Sequence, residues 1–221
     1  SRAVEDWRSR FSANPEGVRC ELAVLPDGRV AAQFTGWTRR ARVDGVARSF
    51  SEIVDSLSDP SFRQGLKKPG LFARTALSYI ERNCRPDGEA FAYGLPNPDA
   101  LRLGQRLLGY TPLRRLELRM KDVGDAEART AGDGRAALSL EDAAGLPPDV
   151  DDLLARAASS VAVGVVRDRR YLEFRYRLHG IDYRTAVVRD VHDDPVALFI
   201  LRDRWLEGDC GPDVTGVAEW I

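Results

Sequence analysis

The chain has 221 residues, 43% hydrophobic and 30% charged, with a formal charge of −1. That composition excludes a disordered segment, offers no run of about 18 apolar residues for a spanning helix, and gives no global pull toward nucleic acid, so an anion site would have to be local. Three widely spaced cysteines and two histidines leave little for a disulfide framework, a zinc site or a His-based catalytic triad.

From the N-terminus, Gly17 to Ser58 is rich in β-formers and broken by two Asp-Gly pairs, Asp27-Gly28 and Asp44-Gly45. Asp-Gly between alternating hydrophobics is the strongest short hairpin signal, which predicts a three-stranded antiparallel meander at about 18–25, 30–42 and 46–57. The third strand runs into "SDPSFRQGLKKPGLF", a loop with Arg63, Gly65, Lys67, Lys68, Pro69 and Gly70. After Gly70, the spacing of Phe72, Ala76, Tyr79 and Ile80 predicts a helix with one buried face, ending near Asn83. The loop therefore reads either as a phosphate-binding turn at a helix N-terminus or as a basic, solvated connection.

"EAFAYGL" (89–95) reads as a short strand, and Asn97-Pro98 as a helix start with Asn as N-cap and Pro at the first helical position. That helix, about 98–108, turns Ala100, Leu103 and Leu107 to one side and ends at Gly109. "PLRRLELRM" (112–120) reads as another strand. Composition then shifts to Asp, Ala, Gly and Glu, which gives a linker at 121–146 between a domain at 1–120 and a second lobe at 147–221 that opens with a helix at about 148–159. The stretch from Phe11 and the stretch from Tyr176 share a layout of aromatic helix end, loop, strand, Asp-containing turn and strand, which reads as an internal duplication or as two independent uses of a common hairpin. "RYLEFRYR" (170–177) alternates cations with aromatics, which fits either stacking on nucleic acid or, preferably, an amphipathic helix burying Tyr171, Phe174 and Leu178.

The order meander, glycine-rich basic turn, helix, strand, Asn-initiated helix, "LGY", strand resembles the GNAT superfamily of CoA-dependent N-acetyltransferases, over residues 5–120 and more weakly 148–221. The resemblance implies an α+β fold with a mostly antiparallel central sheet flanked by helices, followed by a partial second lobe of the same kind. It lays Arg63, Lys67, Gly70 and Leu71 on the family's phosphate-binding signature, with about four extra residues in the loop, and implies that Arg63, Lys67, Lys68, Gly70, Leu71, Phe72 and Asn97 contact acetyl-CoA as co-substrate. Phe72 stands where the family often has Gly or Ala, which would narrow the approach to the phosphates. Asn97 also has a sufficient role as a helix cap.

The resemblance further implies transfer of an acetyl group to a primary amine of a small-molecule or peptide acceptor, while the sparse cysteines and histidines, the near-neutral charge and the lack of a long apolar run read as a cytoplasmic protein without a metal, a nucleic-acid partner or a membrane. Glu52 and Asp55, in the strand whose family counterpart splays open, are candidates for the general base or are simply solvated. At the position of the family's proton-donating tyrosine this chain has Gly104, with Tyr93 and Tyr110 nearby and Tyr110 expected in the core. The alternatives are a non-catalytic binding module of the same fold and an aminoacyl- or peptidoglycan-type transferase, whose basic groove the near-neutral charge does not encourage. Ser1 in place of a methionine and a strand-like end at Ile221 raise the expectation of a longer parent chain.

Overall fold

A computed structural model of the chain describes residues 4–63, 69–114, 138–143, 145–177, 182–203 and 215–221. It divides into two compact units: residues 1–112 with 161–167, and residues 113–160 with 168–221. No helix among the described residues is long and apolar enough to cross a membrane.

The first unit opens with helix α1 (Val4–Phe11), then a meander of β1 (Val18–Val24), β2 (Val30–Val43) and β3 (Val46–Ser58). The second turn is as tight as its sequence demands: Asp44 and Gly45 both have positive φ, 50° and 79°, the mirror-image geometry that Asp-Gly tolerates. A single 3-10 turn (Pro60–Phe62) follows β3, then α2 (Leu71–Asn83), β4 (Glu89–Tyr93) and α3 (Pro98–Leu107). The sheet order is β1-β2-β3-β4, antiparallel except for the parallel β3–β4 pair. The Asn97 cap is present: its side-chain oxygen accepts from the Ala100 N–H at 2.8 Å. Gly109 ends α3 with φ +72°.

One face of this sheet is covered by α2. Phe34, Ala76 and Tyr79 form its buried centre, with Ile53, Phe72, Ile80 and Leu108 packed around them. All four apolar positions expected on the inner face of α2 lie in this cluster. On the opposite face Phe11 of α1 meets Trp37 edge-on, ring centroids 5.8 Å apart.

The second unit contains β5 (Ser139–Ala143), α4 (Asp151–Ser159), α5 (Arg169–Arg177), β7 (Arg184–Arg189), β8 (Pro195–Asp203) and β9 (Thr215–Trp220), while β6 (Val163–Val165) belongs to the first unit and pairs with the end of β2. The second sheet is wholly antiparallel, in the order β5-β7-β8-β9. Strand β5 falls inside the stretch read as linker. Residues 115–120, read as a strand, and Leu178 lie outside the described residues. The "RYLEFRYR" run forms α5, which packs Leu172, with Tyr171 and Tyr176 partly buried, against a core of Val150, Leu153, Leu154, Val187, Leu198 and Ile200, and buries Phe174 as well. Its aromatics are core packing.

The two units share more than layout. In the turn after β1, the Leu25 N–H donates to Arg29 O (2.8 Å) and the Gly28 N–H to Leu25 O (2.9 Å), with Gly28 at φ +84°. In the turn after β7, the Asp190 N–H donates to Asp194 O (3.0 Å) and the Asp193 N–H to Asp190 O (3.1 Å), with Asp193 at φ +67°. These turns are separated along the chain by the same number of residues as Phe11 and Tyr176, so the helix–hairpin layouts run in register.

Candidate functional site at a strand fork

Strands β3 and β4 run side by side only for Ser49 to Glu52, and the last pair is Glu52 with Tyr93. Beyond it β4 ends, and the chain leaves through Gly94 toward the N-terminus of α3. β3 continues to Ser58 and then turns toward the N-terminus of α2. The parting strands therefore form a fork, and each arm leads to a helix N-terminus. At its root the backbones crowd: a Cβ on Gly94 would lie 3.3 Å from Ile53 O.

Two irregularities shape the fork. In β3, Gln33 pairs with Leu57 but Thr35 with Val54, so β3 carries an extra residue there, and Asp55 within it takes φ +44°. Such a bulge bends the strand and increases its twist. The Gln33 side chain donates to Asp55 O at 3.2 Å, which pins the bulge. In β4, Glu89 pairs with Ser49 and Phe91 with Phe50, leaving Ala90 as the extra residue. Glu89 thus turns under α2 while Phe91 turns to the opposite face.

Glu89, only 1% exposed, is the centre of a buried polar network. One carboxylate oxygen accepts from Thr38 Oγ1 (3.0 Å) and Arg19 Nε (3.2 Å), and the other from the Tyr79 hydroxyl (3.3 Å). Tyr79 also shares a 2.6 Å bond with Ser51 Oγ. Burial, followed by the nearby Glu89 charge, pushes the Tyr79 phenol well above its ordinary range, so it stays protonated. Gly36 makes room for the network, because a Cβ there would sit 2.1 Å from both Ser51 Oγ and the Tyr79 hydroxyl. Sequence reading missed this cluster. Tyr79 was legible only as an apolar position, and nothing local marks Glu89 as buried.

The candidate residues fall in three places. Glu52, at the fork, accepts two bonds from Arg39 (Nε 2.8 Å and Nη2 2.6 Å). Arg39 is 2% exposed and lies over the Trp37 ring at 4.8 Å. Asp55 is exposed on the bulge. Arg63 is exposed just after the 3-10 turn and donates to Ser58 O at 3.1 Å, closing the turn back on β3. Lys67 and Lys68 lie outside the described residues. Gly70 is the N-cap of α2, with φ −71° and ψ −177°, an extended conformation open to any residue. Its contribution is the absence of a side chain. Among the described residues no side chain caps α2, in contrast to α3. The first N–H groups of α2, including those of Leu71 and Phe72, are thus left to other acceptors. The Phe72 ring packs edge-on against Phe34, centroids 5.9 Å apart, so it is held by the core.

Tyr110 has a specific partner. A Cβ on Gly104 would fall 2.1–2.6 Å from three atoms of the Tyr110 ring, so the ring fills the space that any side chain at 104 would take. The backbone joins them too, since the Tyr110 N–H donates to Gly104 O at 3.1 Å. Tyr110 is half-buried, which raises its phenol pKa.

No protein-family model and no curated protein matches the sequence. Solved structures do match. A conserved protein of unknown function from Enterococcus faecalis V583, a probable N-acyltransferase, aligns with a TM-score of 0.57 at 13% identity, over 91% of this chain and 49% of its own. The chain thus spans about half the length of that structure. Looser similarities, at TM-scores of 0.40 and 0.41, are to a Trypanosoma brucei acetyltransferase (20% identity, 53% of this chain, 75% of that one) and to Saccharomyces cerevisiae N-myristoyltransferase with bound myristoyl-CoA (12%, 80% and 43%). The first likeness gives the fold: mixed α+β, with antiparallel-dominated sheets flanked by helices.

Proposed function

We propose that the first unit is an acyl-CoA-dependent N-acyltransferase that moves an acetyl group from acetyl-CoA to a primary amine, and that the second unit is a partial second lobe of the same kind. The observation that carries the reading is the α2 N-terminus, which follows the forking strand β3 in the chain and has no side-chain cap among the described residues. A helix N-terminus without its own cap favours an anion by about 0.3–1 kcal/mol, and by up to ~2 when partly buried.

In this reading the pyrophosphate of acetyl-CoA accepts from the Leu71 and Phe72 N–H groups at Gly70. Arg63, Lys67 and Lys68 add positive charge around it, and Asn97 offers its side-chain N–H₂ from the other arm. The acyl arm enters between β3 and β4, where residues of β3 beyond Glu52 have backbone not engaged by β4. The neutral amine attacks the acyl carbon, the carbon–sulfur bond breaks with its electron pair on sulfur, the nitrogen gives up a proton and the thiolate takes one. Glu52 or Asp55 accepts the amine proton. Tyr110, kept protonated by burial, is the donor to sulfur in place of the side chain that Gly104 lacks.

Thermal unfolding with acetyl-CoA tests the binding half. At a hundredfold over its dissociation constant a ligand stabilises by about 2.7 kcal/mol, or roughly 5–10 °C here. The shift should vanish in Gly70→Trp and shrink in the Lys67→Ala/Lys68→Ala pair; no shift in the folded wild type refutes the reading. Free-CoA release then tests chemistry. Tyr110→Phe keeps the ring on Gly104, so it should slow turnover while leaving acetyl-CoA binding in place.

A further inference from the structure

We propose that the face of the fork opposite α2 is an aromatic acceptor subsite, built on Phe91 and Tyr93, and that the acceptor is a small primary amine carrying an aryl group on a short arm; this rests on the acyltransferase reading above. Three observations converge. The bulge at Ala90 turns Phe91 away from the buried network, onto the face that carries Phe50. There the rings form a ladder: Phe50 to Phe91 at 4.0 Å, tilted, and Phe91 to Tyr93 at 6.1 Å, edge-on. Phe91 remains 38% exposed, a large ring presented to solvent at the working end of the sheet.

The polar surroundings select against highly charged acceptors. Glu52, paired across the strands with Tyr93, has its charge met by Arg39. A polyamine or an aminosugar with several ammonium groups therefore finds an ion pair there and not an acidic field, whereas a flat apolar body finds ring faces and edges. Spacing sets the arm. Phe91 lies two residues back from the fork, about 6–7 Å at strand rise, so an aryl group stacked on Phe91 needs an arm of about two carbons to bring its nitrogen to the parting strands.

The test uses the whole chain with acetyl-CoA, reading free thiol released with 2-phenylethylamine, tryptamine, spermidine and glucosamine, and calorimetry for acetyl-CoA alone. The arylethylamines should exceed spermidine and glucosamine at least tenfold in kcat/KM. Phe91→Ala should raise KM for 2-phenylethylamine roughly tenfold at unchanged kcat, Phe91→Trp should restore it, and acetyl-CoA affinity should be the same in all three proteins. Phe91→Leu keeps apolar volume for folding and should still lose the aryl preference. If acetyl-CoA binds but spermidine or glucosamine is preferred, or Phe91→Leu leaves the KM for 2-phenylethylamine untouched, the subsite is overturned. If acetyl-CoA itself fails to bind, the acyltransferase reading falls, and the acceptor assignment with it.

Discussion

Gly104→Ala places opposing effects of known size at one residue. The φ of Gly104 lies outside the left-handed region, so alanine meets no backbone strain there. On propensity alone the substitution should stabilise α3 by up to ~1 kcal/mol. The added methyl, however, would lie 2.1 Å from Tyr110 Cδ2, 2.4 Å from Cε2 and 2.6 Å from Cγ, far inside any contact distance. Either the half-buried ring leaves or the helix end shifts, and overpacking of this kind costs about 1–3 kcal/mol. The net expectation is a loss of up to about 2 kcal/mol, a fall in Tm of up to roughly 8 °C for a chain of this length. A double-mutant cycle isolates the cause. In a Tyr110→Ala background the obstacle is gone, so Gly104→Ala should stabilise by up to ~1 kcal/mol, a coupling of about 1–3 kcal/mol, the overpacking cost itself. Thermal or urea unfolding of the four proteins gives the answer. The same sign in both backgrounds would refute the view that glycine is present at 104 because Tyr110 takes its space.

Tyr79→Phe removes the hydroxyl that links Ser51 to Glu89 and should cost about 1–3 kcal/mol in urea unfolding, because it withdraws a partner from two fully buried groups. Gly36→Ala drives a methyl into the same network and should destabilise by at least ~1–3 kcal/mol, read in the same assay. Asp193→Gly should raise Tm slightly, by about 0.5–1 kcal/mol in stability, because glycine takes φ +67° without the cost of a Cβ and the aspartate is largely exposed. The Asp190 carboxyl is held below its usual range by the His192 and Asp194 N–H groups, so its contribution is present above about pH 4 and is lost as pH falls through the depressed folded value. Asp190→Asn should flatten the acid limb of a Tm-against-pH curve below that point.

The parts of the fold written in local chemistry were legible. Asp-Gly pairs placed the hairpins, Asn97-Pro98 placed the start of α3, and the spacing of Phe72, Ala76, Tyr79 and Ile80 identified the inner face of α2, each because its cause lies within a few residues. Position 104 was legible as an absence, but not its reason, since Tyr110 reaches it only after Gly109 turns the chain back. The site was harder because its determinants are long-range. No local pattern says that Arg39 will be buried over Trp37 and hold Glu52, or that one extra residue at Ala90 will send Glu89 and Phe91 to opposite faces. Strand alternation applied to "EAFAY" would have put those two side chains together.

That single inserted residue links fold to chemistry. With Glu89 under α2, the root of β4 is tied to Arg19 of β1, Thr38 of β2 and Tyr79 of α2, and through Tyr79 to Ser51 of β3. The strand is fixed where pairing begins and released four pairs later, so the fork opens from an anchored base. With Phe91 on the other face, the same strand presents its rings where an acceptor would approach. One bulge therefore separates the buried polar face from the aromatic face along five residues. Taking Ala90 into the regular alternation would instead set both side chains on one face: either Phe91 would be buried among Thr38, Ser51 and Tyr79 beside the carboxylate, or Glu89 would leave them for the aromatic face. Both outcomes are unfavourable, because in the first the ladder loses its central ring and in the second the network loses its acceptor.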